Sequence, residues 1–214
     1  MPVEPGEWER IVAENPDHSR WYIQRFRDLA AAGDDIVGEA RLVDAMVTRR
    51  SRILDAGCGP GRIGGFLHTV GHDVVGVDVD PVLIAAAEQD YPGPAWLVGN
   101  LAELDVLGLA EPPGSTADSS ADQGGGFDVI VCAGNVVTFI APSTRRDVLR
   151  GFERHLRVDG RAVVGFGAGR DYAYDDFFAD VEAVGLTPDL LLSTWDLRPF
   201  TPTSGFLVAI LRRT

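Results

Sequence analysis

The feature that most restricts how this chain can fold is a strand-like run that ends in a carboxylate and leads directly into alternating glycines. It reads Arg52-Ile53-Leu54-Asp55-Ala56-Gly57-Cys58-Gly59-Pro60-Gly61-Arg62, and an amphipathic run continues from Arg62 to Val70. Apolar strand, tight turn, helix is the natural reading of that order. Glycine is required where the backbone turns sharply or where a ligand lies too close for a Cβ. The helix start after the turn offers unpaired N–H groups to whatever sits above it. A second apolar strand, His72 to Asp78, follows and also ends in a carboxylate, 21 residues beyond Gly57. Two strands joined through a helix imply a right-handed crossover and a parallel pair, with ligands expected at the C-terminal strand edge.

The spacing separates two kinds of ligand. In the dinucleotide fingerprint G-x-G-x-x-G, alignment on Gly57 and Gly59 places Arg62 where the third glycine belongs. The pattern here is instead D-x-G-x-G-x-G. A pyrophosphate disfavours a nearby acid, whereas a ligand bearing an ammonium group would welcome Asp55. An acid at the end of strand two, about 20 residues after the turn, can accept both hydroxyls of an adenosine ribose.

The stretch Asp55–Gly61 resembles motif I of the class I S-adenosylmethionine-dependent methyltransferases, and Gly76-Val77-Asp78-Val79-Asp80-Pro81 resembles their motif II. The resemblance implies that Asp55, Gly57, Cys58, Gly59 and Gly61 hold the amino-acid end of S-adenosylmethionine. It implies too that Asp78 takes the ribose and that Val79 packs on the adenine. After strand three, Pro94–Val98, the family commonly has an Asp facing the adenine amino group. Here Asn100 stands there, whose carbonyl can still accept from that group, and Leu101 would offer its backbone N–H to the ring. Strand four, Phe127–Cys132, resembles motif IV, and by that resemblance the backbone near Cys132 meets the cofactor's ammonium.

Partners are narrowed by charge. The 214 residues carry a net charge of −13 and no basic stripe, which argues against a nucleic-acid surface. The position after strand four reads Ala133-Gly134-Asn135-Val136, unlike the Asn/Asp-Pro-Pro-Tyr/Phe box of the family's nucleic-acid- and protein-directed branches. A small-molecule substrate is therefore expected. Cys58 and Cys132 lie in apolar contexts, consistent with a reducing cytoplasm. The four His (18, 68, 72 and 155) lie far apart, so no metal is expected. No signal peptide or membrane-spanning run is read.

The expected fold is α/β: a doubly wound, mostly parallel seven-stranded sheet with a C-terminal antiparallel hairpin and N-terminal lid helices. Residues 1–17 read as a flexible arm and 18–214 as one domain. Within that domain, 18–48 hold the two lid helices (19–32 and 36–47), and 108–126 form a Pro-, Ser- and Gly-rich mobile loop. A helix is expected over 143–156 with Ser143 as its cap, then a turn at 158–160 and strand five over 161–165. The last helix spans 177–184, and strands 190–197 and 206–211 close the sheet. Substrate contacts are sought in His18, Tyr22, Tyr172 and Tyr174, with ordinary packing or loop exposure as the alternative for each. Two other functions stay open: a protein that binds the cofactor without transfer, and an NAD(P)-dependent oxidoreductase.

Overall fold

The computed structural model describes residues 3–107 and 126–213. Three helices come first: α1 (Glu7–Glu14), α2 (His18–Ala32) and α3 (Gly38–Met46). The sheet then begins with β1 (Arg52–Ala56), α4 (Arg62–Thr69), β2 (Asp73–Asp78), α5 (Pro81–Asp90) and β3 (Ala95–Val98), and a 3-10 turn follows at Leu101–Glu103. After the undescribed stretch come β4 (Phe127–Cys132), α6 (Val136–Phe139), α7 (Arg145–His155), β5 (Leu156–Gly167), α8 (Tyr174–Ala183), β6 (Leu186–Leu192) and β7 (Phe206–Arg213).

The seven strands lie in the order β3-β2-β1-β4-β5-β7-β6. The first five are parallel, and β7 runs antiparallel between β5 and β6. This is the class I methyltransferase arrangement expected from the sequence. The order reverses at β1 and β4, and ligands of open α/β sheets bind in the crevice at such a point.

Strand alternation divides the core in two. Leu54, Ala56, Ile130, Cys132, Val164 and Phe166 pack with Val148, Phe152, Phe177 and Val181 of α7 and α8. Ile53, Val129, Val131 and Val163 pack on the other face with Ala40, Val43, Ile63 and Leu67 of α3 and α4. Asp55 has the parity of Ile53, so its side chain leaves the sheet on the α4 face.

Several expected boundaries shift. The segment expected as a loose arm carries helix α1, whose N-terminus is capped by Glu9 accepting from the Gly6 N–H at 2.8 Å. Ser143 does not cap α7. It lies in a 3-10 turn, Pro142–Thr144, and its hydroxyl donates to Glu4 Oε2 at 2.5 Å. The turn expected at 158–160 lies inside β5, where Asp159 takes a positive φ of 64° and the register against β4 slips. Strand six begins at Leu186, not at 190. Pro188 is tolerated because β6 is the sheet edge, where a missing N–H costs no ladder bond. Except for Gly126, the loop expected at 108–126 lies outside the described residues.

Candidate functional site

The glycine turn is held against the end of β2. Gly57 and Cys58 both donate to Val77 O, at 2.8 and 3.1 Å, and Gly59 N donates to Asp78 Oδ2 at 2.8 Å. Asp80 N donates to the other Asp78 oxygen at 3.0 Å. Each carboxylate oxygen thus holds one backbone donor and keeps a lone pair. Burial pushes the Asp78 carboxyl up to about 6, against the lowering pull of its backbone hydrogen bonds.

All three motif glycines take positive φ, but for different reasons. A Cβ on Gly57 would fall 2.5 Å from Val136 Cγ1, and one on Gly61 2.8 Å from Ala87 Cβ and 3.1 Å from the Trp96 ring. Above Gly59 the nearest atom to such a Cβ is Tyr22 Cε1 at 3.7 Å, an ordinary van der Waals contact, so no neighbour excludes a Cβ there. Gly57 and Gly61 let elements pack together, and Gly59 leaves room.

That room is a cavity of about 400 Å³ at the C-terminal edge of the sheet, within the size of small-molecule sites. Gly57, Gly59, Asp78, Val79, Asn100 and Leu101 form its floor and one wall. Helices α1 and α2 cover it with Trp8, Tyr22 and Phe26, and Phe139 faces them from α6. Trp8 meets Tyr22 and Phe139 edge-on, with ring centroids 5.2 and 6.1 Å apart. Asn100 Oδ1 accepts from Ala102 N at 2.9 Å, which fixes its amide at the cavity edge.

Other residues singled out in the sequence stand behind the wall. Asp55 is 1% exposed and accepts the Gly64 N–H at 2.8 Å. Gly61, the N-cap of α4, has no side chain with which to cap that helix, and the Asp55 carboxylate does so from within the core. Burial drives Asp55 up to about 7. Cys58 packs with Ile84, Ala87 and Trp96, and Cys132 sits in the sheet core. Burial raises both thiols above their usual range, so neither is a ready nucleophile.

Of the expected substrate contacts, only Tyr22 lines the cavity. Tyr172 is buried against Phe166 and donates its hydroxyl to Asp180 Oδ2 at 2.8 Å. Tyr174 packs edge-on to Phe166 and Phe200. His18 starts α2 and lies between the rings of Trp8 and Trp21.

The structure adds residues that the sequence reading did not single out. Arg62, at the place of the dinucleotide motif's third glycine, forms a two-pronged pair with Glu39 (2.8 and 2.6 Å) and donates to Ile36 O, tying α3 to the turn. Asn135 follows Gly134, both at positive φ, and its Oδ1 accepts from Gly167 N at 2.8 Å, joining the ends of β4 and β5 beside the cavity. Consecutive left-handed residues after an apolar strand were the available signal, since Gly and Asn are the residues that tolerate that conformation. Among the described residues there is no group of three or more His, Cys, Asp or Glu able to hold a metal, and no helix is long and apolar enough to cross a membrane.

Residues 54–162, just over half of the chain, match the methyltransferase-domain family. A TehB-like S-adenosylmethionine-dependent methyltransferase from Corynebacterium glutamicum is 48% identical, with 94% of this chain and 100% of that one covered and a TM-score of 0.82. The chain belongs to the S-adenosylmethionine-dependent methyltransferases. The fold is shared more widely in the family. A Clostridium acetobutylicum methyltransferase has 10% identity, covering 91% and 98% of the two chains, and a TM-score of 0.72. The 1,6-didemethyltoxoflavin-N1-methyltransferase of Burkholderia thailandensis, solved with S-adenosylhomocysteine, has 20% identity, covering 100% and 92%, and a TM-score of 0.62. No curated protein matches the chain. The family's cofactor is S-adenosylmethionine, and the chemistry of the wall suits it: a buried acid with free lone pairs, an open glycine beside it, and an amide at the far end. These findings do not favour the oxidoreductase alternative.

Proposed function

We propose that this methyltransferase acts on a small molecule by direct displacement at the cofactor's methyl group. The observation that carries the reading is a single roofed cavity. It joins the Asp78–Asn100 wall to an aromatic chamber formed by Trp8, Tyr22, Phe26 and Phe139. A chamber of this volume under two helices has no room for a folded protein or a duplex, and the charge of −13 disfavours a phosphate backbone.

In this reading Asp78 accepts the ribose hydroxyls, and Val79 and Leu101 flank the adenine. Asn100 uses its remaining carbonyl lone pair for the adenine amino group. Gly59 leaves room for the amino-acid end, and Asp55 acts on that end only by fixing the turn and α4. When bound, S-adenosylmethionine supplies a methyl on a sulfonium, which is already electrophilic. The chain's own part is then alignment and exclusion of water: Tyr22 and Trp8 close the roof, and Asn135 and Phe139 shape the acceptor side. Burial raises the Tyr22 phenol, and the cations of Arg62 and Arg25 beside it pull the other way. Its place in the wall is thus that of a neutral contact and not of a base at neutral pH.

The test is transfer of a radiolabelled methyl from S-adenosylmethionine in a fractionated cell extract. Label is expected in the low-mass fraction and lost with Asp78→Ala. Label in protein or RNA would contradict the small-molecule reading, and saturable binding without label in any fraction would favour a binding protein.

A further inference from the structure

Helix α1 raises a physical problem. It has eight residues, none of them buried, and a helix of that length is marginal without tertiary support. Yet it roofs the cavity. Its strongest tie is the Trp8 indole N–H, which donates to Asp80 Oδ2 at 2.9 Å across 72 residues of sequence. The fully buried Ser19 of α2 donates its hydroxyl to the same oxygen at 2.5 Å. The other Asp80 oxygen caps α5 by accepting Val82 N at 2.8 Å. Asp80 is itself 5% exposed. One buried carboxylate therefore gathers donors from α1, α2 and α5, and hydrogen bonds to a charged acceptor are the strong ones.

The same residue touches the cofactor wall by its backbone, since Asp80 N donates to Asp78 Oδ1. We propose that Asp80 is a positioning residue that couples occupancy at Asp78 to closure of α1 and α2 over the cavity. This rests on the assignment of Asp78 as the ribose acceptor. A ligand drawn onto Asp78 fixes the peptide that carries Asp80, and so fixes the acceptor to which the roof is latched. With the latch engaged, Trp8 and Tyr22 wall in the cavity, and ligand release requires Asp80 to let go of its two roof donors. Beyond this latch, the side-chain ties of the segment around α1 are exposed ones, Glu4 with Arg10 and with Ser143.

Two variants separate latching from folding. Trp8→Phe keeps an aromatic ring against Tyr22 and Phe139 and removes the N–H. Asp80→Ser keeps a good cap for α5 and cannot reach both roof donors. Hydrogen exchange over residues 7–14 is followed with and without S-adenosylhomocysteine, together with the rate of ligand release. In the wild type the ligand should slow exchange over 7–14. In both variants that slowing should vanish, and release should quicken roughly tenfold, the size of one charge-assisted hydrogen bond. Protection over 57–61 should persist in all three proteins.

Equal ligand-dependent protection of 7–14 in wild type and variants would overturn the coupling. So would exchange raised by the same factor with and without ligand, the mark of a merely structural tie. If the ligand protects 57–61 of the wild type but never 7–14, the latch fails while the cofactor assignment stands. If it protects neither segment, the cofactor assignment itself fails.

Discussion

Two neighbouring strands of this sheet end in the same way on paper, each an apolar run closed by an aspartate, yet the two carboxylates have different surroundings. Asp55 of β1 pairs in register with Gly76, two residues short of Asp78. It is still inside the sheet, on the face covered by α4, and its carboxylate meets the Gly64 N–H. Asp78 ends β2 at the edge of the cavity that α1 and α2 roof, and it lines that cavity. In the proposed reading, the acid that borders the cavity serves the ligand, and the one inside the sheet caps the next helix. The glycines divide in the same way: Gly57 and Gly61 serve packing, Gly59 the cavity.

The largest effect that could break this contrast lies in the glycines. Gly61→Ala should combine left-handed strain with a clash against Ala87 and Trp96, destabilising by about 3 kcal/mol or more. For a chain of this size that lowers the melting temperature by roughly 10 °C. Gly59→Ala should cost only the backbone strain, about 1–2 kcal/mol, and its main effect should be weaker binding of S-adenosylhomocysteine. Thermal unfolding and titration of both variants would check this. Equal melting losses would undo the division of the turn.

A smaller effect is expected at Asp55. Its folded pKa, near 7, lies above the unfolded value of about 3.9. Its contribution to stability is therefore full below pH 4 and is lost as pH rises through 7. Asp55→Asn keeps an acceptor for Gly64 N and removes the buried charge. At pH 8 the ligand-free variant should be at least as stable as wild type, with a flatter stability profile between pH 5 and 8. The difference should be on the order of 2 kcal/mol. A marked loss of stability at pH 8 would mean that the ionised carboxylate is needed in place.

At Asp78 the sign of the pH effect on binding is the opposite. Raised to about 6, this acid would, as the proposed ribose acceptor, accept two hydroxyls fully only when ionised. Affinity for S-adenosylhomocysteine should be flat above pH 7 and fall by up to about tenfold per unit below 6. Calorimetry from pH 5 to 8 would show it, and affinity that does not change with pH would argue against a charged acceptor.

Much of the fold was legible because it rests on local signals. The strand-turn-helix order around Asp55, the acid of β2, and the apolar run of β7 each declare themselves within about ten residues. What was not legible depends on partners distant in sequence. Helix α1 has acidic residues in its first turn, Glu7 and Glu9, but the tie that holds it over the cavity comes from Asp80, 72 residues away. Tyr172 and Tyr174 read as loop tyrosines, but Tyr172 is a core residue beside Phe166 and Phe177, and Tyr174 is half-buried against Phe166 and Phe200. The placement of Asp55 was available in part: strand alternation gives it the face of Ile53, and α4 follows at once. Motif resemblance favoured a ligand contact, and the hydrogen bond from Gly64 N is visible only in the fold.

The most direct test of the contrast is calorimetric titration of S-adenosylhomocysteine into wild type, Asp78→Asn and Asp55→Asn at pH 8. Asp78→Asn should lose roughly 100-fold in affinity, as expected for two hydrogen bonds to a charged acceptor, while Asp55→Asn should stay within about threefold of wild type, since it keeps the single Gly64 contact. A large loss at Asp55 with little change at Asp78 would contradict the account at its centre, because the ligand would then be held at the strand end where the structure has a buried helix cap.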